Sequence, residues 1–84
     1  MTLQNFIKKR PYLVWHTRDL SQLSQEAIVE AVLNYGDFDD FKKLLSILGI
    51  KKTANIFGRQ IKNKRVNYDD KTVNYFRLYF KKYA

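Results

Sequence analysis

The stretch DFDDFKKLLSILGIKKTANIFGRQIKN, residues 37 to 63, holds two helical periods hinged on one glycine, and its reading decides the fold. Asp37 stands as an N-cap with Asp40 three residues on, and acids in the first turn suit the positive end of the helix macrodipole. Phe38, Phe41, Leu45 and Leu48 recur at the spacing of one helix face, and Gly49 closes the run. Ile50, Ala54, Phe57 and Ile61 define a second buried stripe, for a helix over residues 51 to 62. Its outer face carries Lys51, Lys52, Asn55, Arg59 and Lys62. Gly58, in its interior, costs about 1 kcal/mol against alanine unless a neighbouring backbone comes close.

Two helices meeting at a glycine have the order of a helix-turn-helix, whose second helix would turn Lys52, Asn55, Arg59 and Lys62 toward a groove. Leu45, one turn before the glycine, is larger than the residue a tight crossing favours, and an ordinary helical hairpin fits the same pattern. Upstream, Ser24 caps a helix that runs to Tyr35, with Gly36 placed for the left-handed residue that follows many helices. Glu26, Glu30 and Asn34 form its single polar stripe, so its remaining faces are apolar and it belongs in the middle of a bundle. Glu26 and Glu30 repel at i, i+4 and call for a basic neighbour over them.

Downstream, residues 63 to 68 read as a linker, and Asp69 or Asp70 starts a last helix. Val73, Phe76, Phe80 and Tyr83 are its apolar stripe, with Asn74, Arg77 and Lys81 opposite. The first ten residues fit a short helix ending before Pro11, because a residue preceding proline is pushed out of the α region. PYLVWH, residues 11 to 16, reads as extended and lies across the helices with Trp15 as its buried anchor, or offers a free edge to a partner strand. The expected fold is therefore all-α: a small bundle of four to five helices with a helix-turn-helix-like pair and an extended N-terminal segment.

A chain of 84 residues makes one domain, residues 1 to 84, with no room for a second core. Its 45% hydrophobic and 15% aromatic content is too apolar for disorder. It has no cysteine, which excludes a disulfide framework and suits a reducing compartment. The opening MTLQNFIKKR lacks a signal-peptide core and no apolar run reaches the ~20 residues of a membrane span, so a cytoplasmic location and no membrane partner are expected.

The net charge of +8 is unevenly placed. Residues 21 to 40 hold Glu26, Glu30, Asp37, Asp39 and Asp40 and no base. Residues 41 to 68 hold Lys42, Lys43, Lys51, Lys52, Arg59, Lys62, Lys64 and Arg65 and no acid. Such a segment attracts polyanions within a Debye length of ~8 Å, whether nucleic acid or an acidic protein, or is simply solvated.

Catalysis has little support. The one histidine, His16, has no cysteine to activate and sits in an apolar run, so no enzyme, metal or cofactor is expected. DFDD is followed by no calcium-binding loop and is explained by capping. Tyr68, Tyr75, Tyr79 and Tyr83 offer stacking platforms for unpaired bases, core packing, or an apolar patch for another protein.

AIVEAVLNYGDFDDFKKLLSILG (27 to 49) and DDKTVNYFRLYF (69 to 80), with VWHTRDL (14 to 20) upstream, resemble a family of small helical bacterial proteins. Those proteins are encoded beside abortive-infection-type (AbiEii-like) nucleotidyltransferase toxins and are taken to be antitoxin-like. The similar positions are Trp15, Asp19 and Leu20; Ile28, Val32, Leu33, Tyr35, Gly36 and Asp37; Leu44, Leu45 and Gly49; and Thr72, Asn74 and Phe76. The chain departs from the pattern at Ala31, where the family favours Arg, and at Phe41, where it favours Trp. The resemblance implies an antitoxin-like binding protein that complexes with and restrains a cognate nucleotidyltransferase toxin. The alternative is a small basic DNA- or RNA-binding regulator using residues 51 to 65. Under both, Lys51, Lys52, Asn55, Arg59, Lys62, Lys64 and Arg65 form the interface, and Trp15, Tyr79 and Tyr83 are candidate partner anchors.

Overall fold

The computed structural model describes residues 2 to 14, 23 to 63 and 68 to 84. The elements run α1 (Leu3–Lys8), a 3₁₀ turn (Pro11–Leu13), α2 (Gln25–Tyr35), α3 (Phe38–Leu48), α4 (Ile50–Asn63) and α5 (Asp70–Tyr83), and no strand occurs among the described residues. This is the all-α bundle that the periodicities predict, in its five-helix form.

Side chains start four of the helices where short polar residues stand. Thr2 accepts from the Asn5 amide, Ser24 from Ala27, Asp37 from Asp40 and Asp69 from Thr72. At α3 the cap is reciprocal, since the Asp37 amide also donates to Asp40 Oδ2 at 3.2 Å. Asp69 rather than Asp70 is the N-cap of α5.

The buried apolar residues form one cluster. Phe6 and Ile7 of α1, Leu13 and Val14, five residues of α2, Phe41 and Leu44 of α3, Ile56 and Phe57 of α4, and Phe76 and Phe80 of α5 meet in it. Helix α2 packs against both α3 and α4, which pack against each other, and α5 lies on α4. An aromatic seam joins the last helix to the rest: Phe41 lies 4.9 Å from Phe76 and 6.0 Å from Phe80, and Phe57 lies 5.6 Å from Phe80, all tilted or edge-on.

Five expectations require correction. Residues 11 to 13 are a 3₁₀ turn rather than extended, because Pro11 presets φ at its first position and the Leu13 and Val14 amides donate back to the Arg10 and Pro11 carbonyls at 3.0 and 3.1 Å. Trp15 and His16 lie outside the described residues.

Gly36 is not left-handed; its φ of −78° and ψ of 158° are ordinary extended backbone. Glycine is needed there for space, since a Cβ would stand 2.8 Å from the Val32 carbonyl and 3.1 Å from Asp40 Cβ. The fully buried residues of α3 are Phe41 and Leu44, whereas Phe38, in the first helical position, is 50% exposed. In α4 the buried residues are Thr53, Ile56, Phe57 and Gln60, with Ile50, Ala54 and Ile61 only partly covered. Tyr83 leaves the α5 stripe near the helix end and is exposed.

Candidate nucleic-acid or partner interface

Gly49 is the whole link between α3 and α4, and its φ of 88° and ψ of 147° lie in a region that side chains rarely adopt. Its amide donates to the Leu45 carbonyl at 2.8 Å, ending α3. Its carbonyl accepts from the Thr53 amide at 3.1 Å and from Thr53 Oγ1 at 2.8 Å, starting α4. One residue thus turns the chain, fewer than the three or four of the usual helix-turn-helix.

This hinge fixes which face of α4 looks outward. At 3.6 residues per turn, Lys51, Lys52, Asn55, Arg59 and Lys62 fall within roughly 100° of arc. All five are exposed. The opposite arc carries Ile56 and Phe57 into the core together with two polar side chains whose bonds are satisfied. Gln60 Nε2 donates to the Glu26 carbonyl at 2.9 Å, and its Oε1 accepts from the Tyr68 hydroxyl at 2.7 Å. Burial, and then the Glu30 charge, push the Tyr68 phenol well above its usual range, so its hydroxyl stays a donor. Tyr68 is therefore a hydroxyl-anchored packing residue, its ring 5.4 Å from Phe57.

Among the described residues the one ion pair is Arg10–Asp40, so none of the α4 cations is paired with a described residue. Arg59 differs from the rest of the face in its neighbours. It lines a cleft of about 400 Å³ with Glu26, Glu30, Gln60 and Asn63. It shares that cleft with both glutamates without forming an ion pair with either. Lys64 and Arg65 lie outside the described residues.

The partner anchors divide. Tyr79 is half-buried, its ring edge-on to Phe41 at 5.1 Å, and Tyr83 is exposed with its ring 4.7 Å from Tyr79.

Sequence reading missed the Asp40 network. Asp40, 4% exposed, accepts from Arg10 Nε at 2.8 Å and from the Tyr12 hydroxyl at 2.9 and 3.0 Å on its two oxygens. The Arg10 guanidinium also lies 4.3 Å from the centre of the Phe6 ring. Burial alone would raise the Asp40 carboxyl, but the bonds from Arg10, Tyr12 and the Asp37 backbone outweigh it and hold its pKa below the usual carboxylate range. The network ties the N-terminal segment to the start of α3 and leaves Asp40 no free valence for a ligand.

Among the described residues no three His, Cys, Asp or Glu side chains gather in a way that could hold a metal ion, and no helix is long and apolar enough to cross a membrane. No known family profile matches the chain, and neither a curated protein nor a solved structure is significantly similar to it.

Proposed function

We propose that the protein is an antitoxin-like binding protein that complexes with and restrains a cognate nucleotidyltransferase, using the basic face of α4. The observation that carries this reading is the contiguous display of Lys51, Lys52, Asn55 and Lys62 on one exposed arc, without an acid among them. A nucleotidyltransferase site holds acidic metal ligands and takes polyanionic substrates. A rigid cationic helix can neutralise such a cleft or occupy the path of its substrate, and charge complementarity would chiefly raise the association rate and the specificity. The resemblance over residues 12 to 80 supports the same partner class.

A specific observation favours a second reading, a small DNA- or RNA-binding regulator. Gly49 presents α4 as the second helix of a hinged pair, with Asn55 and Arg59 available for base edges and the lysines for phosphates. Its mark is salt: four phosphate contacts would lower affinity about a hundredfold between 50 and 200 mM salt.

Affinity purification of the tagged protein from native cells, with and without nuclease, separates the two. The first reading expects a nucleotidyltransferase that stays bound after nuclease treatment. Recovery of nucleic acid alone, lost on nuclease treatment, would replace it with the second.

A further inference from the structure

Helix α5 turns a second, chemically different face to solvent. Phe76 and Phe80 point into the core, while Tyr75 (51% exposed) and Leu78 (57% exposed) lie on the outer side. With Lys71, Asn74, Tyr79 and Lys82 they line an open groove of about 410 Å³. Scattered exposed apolar residues are ordinary; here Tyr75, Leu78 and Tyr79 lie side by side along one groove and give it a continuous apolar wall.

The chemistry of the groove selects its occupant. Tyr75 and Tyr79 lie 6.5 Å apart with their rings nearly parallel at 22°, and each also packs edge-on against its core neighbour, Tyr75 on Phe76 and Tyr79 on Phe80. Each ring is held by an edge contact with its core neighbour, which fixes the pair in one orientation along the groove. What they offer is a fixed apolar ridge beside Leu78, the relief into which an amphipathic helix lays its side chains.

Lys71 and Lys82 stand a full three turns apart along α5, one toward each end of the groove, and no acid lines it. A second copy docked antiparallel through the same face would set Lys71 against Lys82 of its mate, so self-association is disfavoured. The positive rim instead matches acidic flanks.

We propose that this face of α5 is a docking groove for an acidic amphipathic helix of a protein partner, with Leu78 and Tyr75 as its apolar anchors and Lys71 and Lys82 as its charge clamps. The surface belongs to a different helix from the α4 face and does not depend on what α4 binds.

The test uses the full chain labelled with ¹⁵N and two synthetic helical peptides. Both carry Leu at i, i+3, i+4 and i+7; one has Glu and the other Lys at the remaining positions. The Glu peptide is expected to shift the amides of residues 71 to 82 and to bind at least about tenfold more tightly than the Lys peptide, with Leu78→Asp weakening it by about tenfold or more at unchanged helicity. Leu78→Ala, milder for the fold, should weaken it in the same direction.

Shifts confined to residues 51 to 62, equal affinity for both peptides, or an oligothymidylate shifting the same α5 amides would each overturn the proposal. So would dimerisation through this face seen by sedimentation. Because the readout is residue-resolved, failure at α5 leaves the α4 reading standing, and failure at α4 leaves this one.

Discussion

Two glycines with equally open surroundings have opposite consequences. A Cβ at Gly49 or at Gly58 would meet nothing within 4 Å, but Gly49 has a φ of +88° and Gly58 lies inside α4 with no positive φ. Gly58→Ala should therefore stabilise the protein by about 0.5–1 kcal/mol, by restricting the unfolded chain and improving helix propensity. Gly49→Ala should destabilise it by about 1–3 kcal/mol through backbone strain alone. Urea unfolding of the two variants checks both signs. At Asp40 the stake is one buried carboxylate: Asp40→Ala removes the acceptor for the partly exposed Arg10 and the exposed Tyr12 and half of the α3 cap, and should cost about 1–3 kcal/mol. The pH dependence follows from the direction of the shift. The folded-state pKa lies below the unfolded value, so this contribution is complete above about pH 4 and is lost as pH falls through the folded pKa. Asp40→Asn should flatten that acid limb, as thermal melts across pH 2 to 5 would show. The Asp37–Asp40 cap was legible in the sequence because it is local. The Arg10 and Tyr12 partners were not, since 30 and 28 residues separate them from Asp40 and no short-range spacing encodes such a meeting.

At the scale of elements, helix boundaries were readable because Ser24, Asp37, Asp69 and Gly49 are strong local signals. Which arc of each helix is buried was read less well. The α4 stripe Ile50, Ala54, Phe57 and Ile61 is rotated in the structure toward Thr53, Ile56 and Gln60. Position between α2, α3 and α5 decided that arc, and the two polar side chains enter it because Gly49, Glu26 and Tyr68 satisfy them. The outward arc was nevertheless placed correctly, because lysine and arginine are rarely buried unpaired. Replacing Lys51, Lys52 and Lys62 together with Glu should leave the far-ultraviolet circular dichroism unchanged, since all three are exposed and none is ion-paired with a described residue. Binding to the proposed partner should fall by about a hundredfold or more. Arg59→Glu should be worse tolerated in the fold than the lysine changes, because it would put a third acid in the cleft that Glu26 and Glu30 line.

Across the whole molecule the two halves of the charge distribution have different destinations. The acids of residues 21 to 40 are largely spent on the fold: Asp37 and Asp40 cap α3, Asp40 holds Arg10, and Glu26 and Glu30 line the cleft beside Arg59. The α4 lysines serve no such contact among the described residues, which leaves the surplus positive charge on an exposed arc. The all-α class was legible from periodicity and caps alone. The α5 groove was legible only in part: its tyrosines stood out as a surplus over one small core, whereas Leu78 and Lys71 became a site only once Phe76 and Phe80 fixed the orientation of the helix. The most direct test of the central claim is to measure nucleotidyl transfer by the proposed cognate nucleotidyltransferase, once recovered with the tagged protein, while purified chain is titrated in. Activity should fall to background near equimolar ratio with the native chain and persist with the Lys51, Lys52 and Lys62 charge reversals. Transfer unchanged by a several-fold excess of folded native chain would contradict the account.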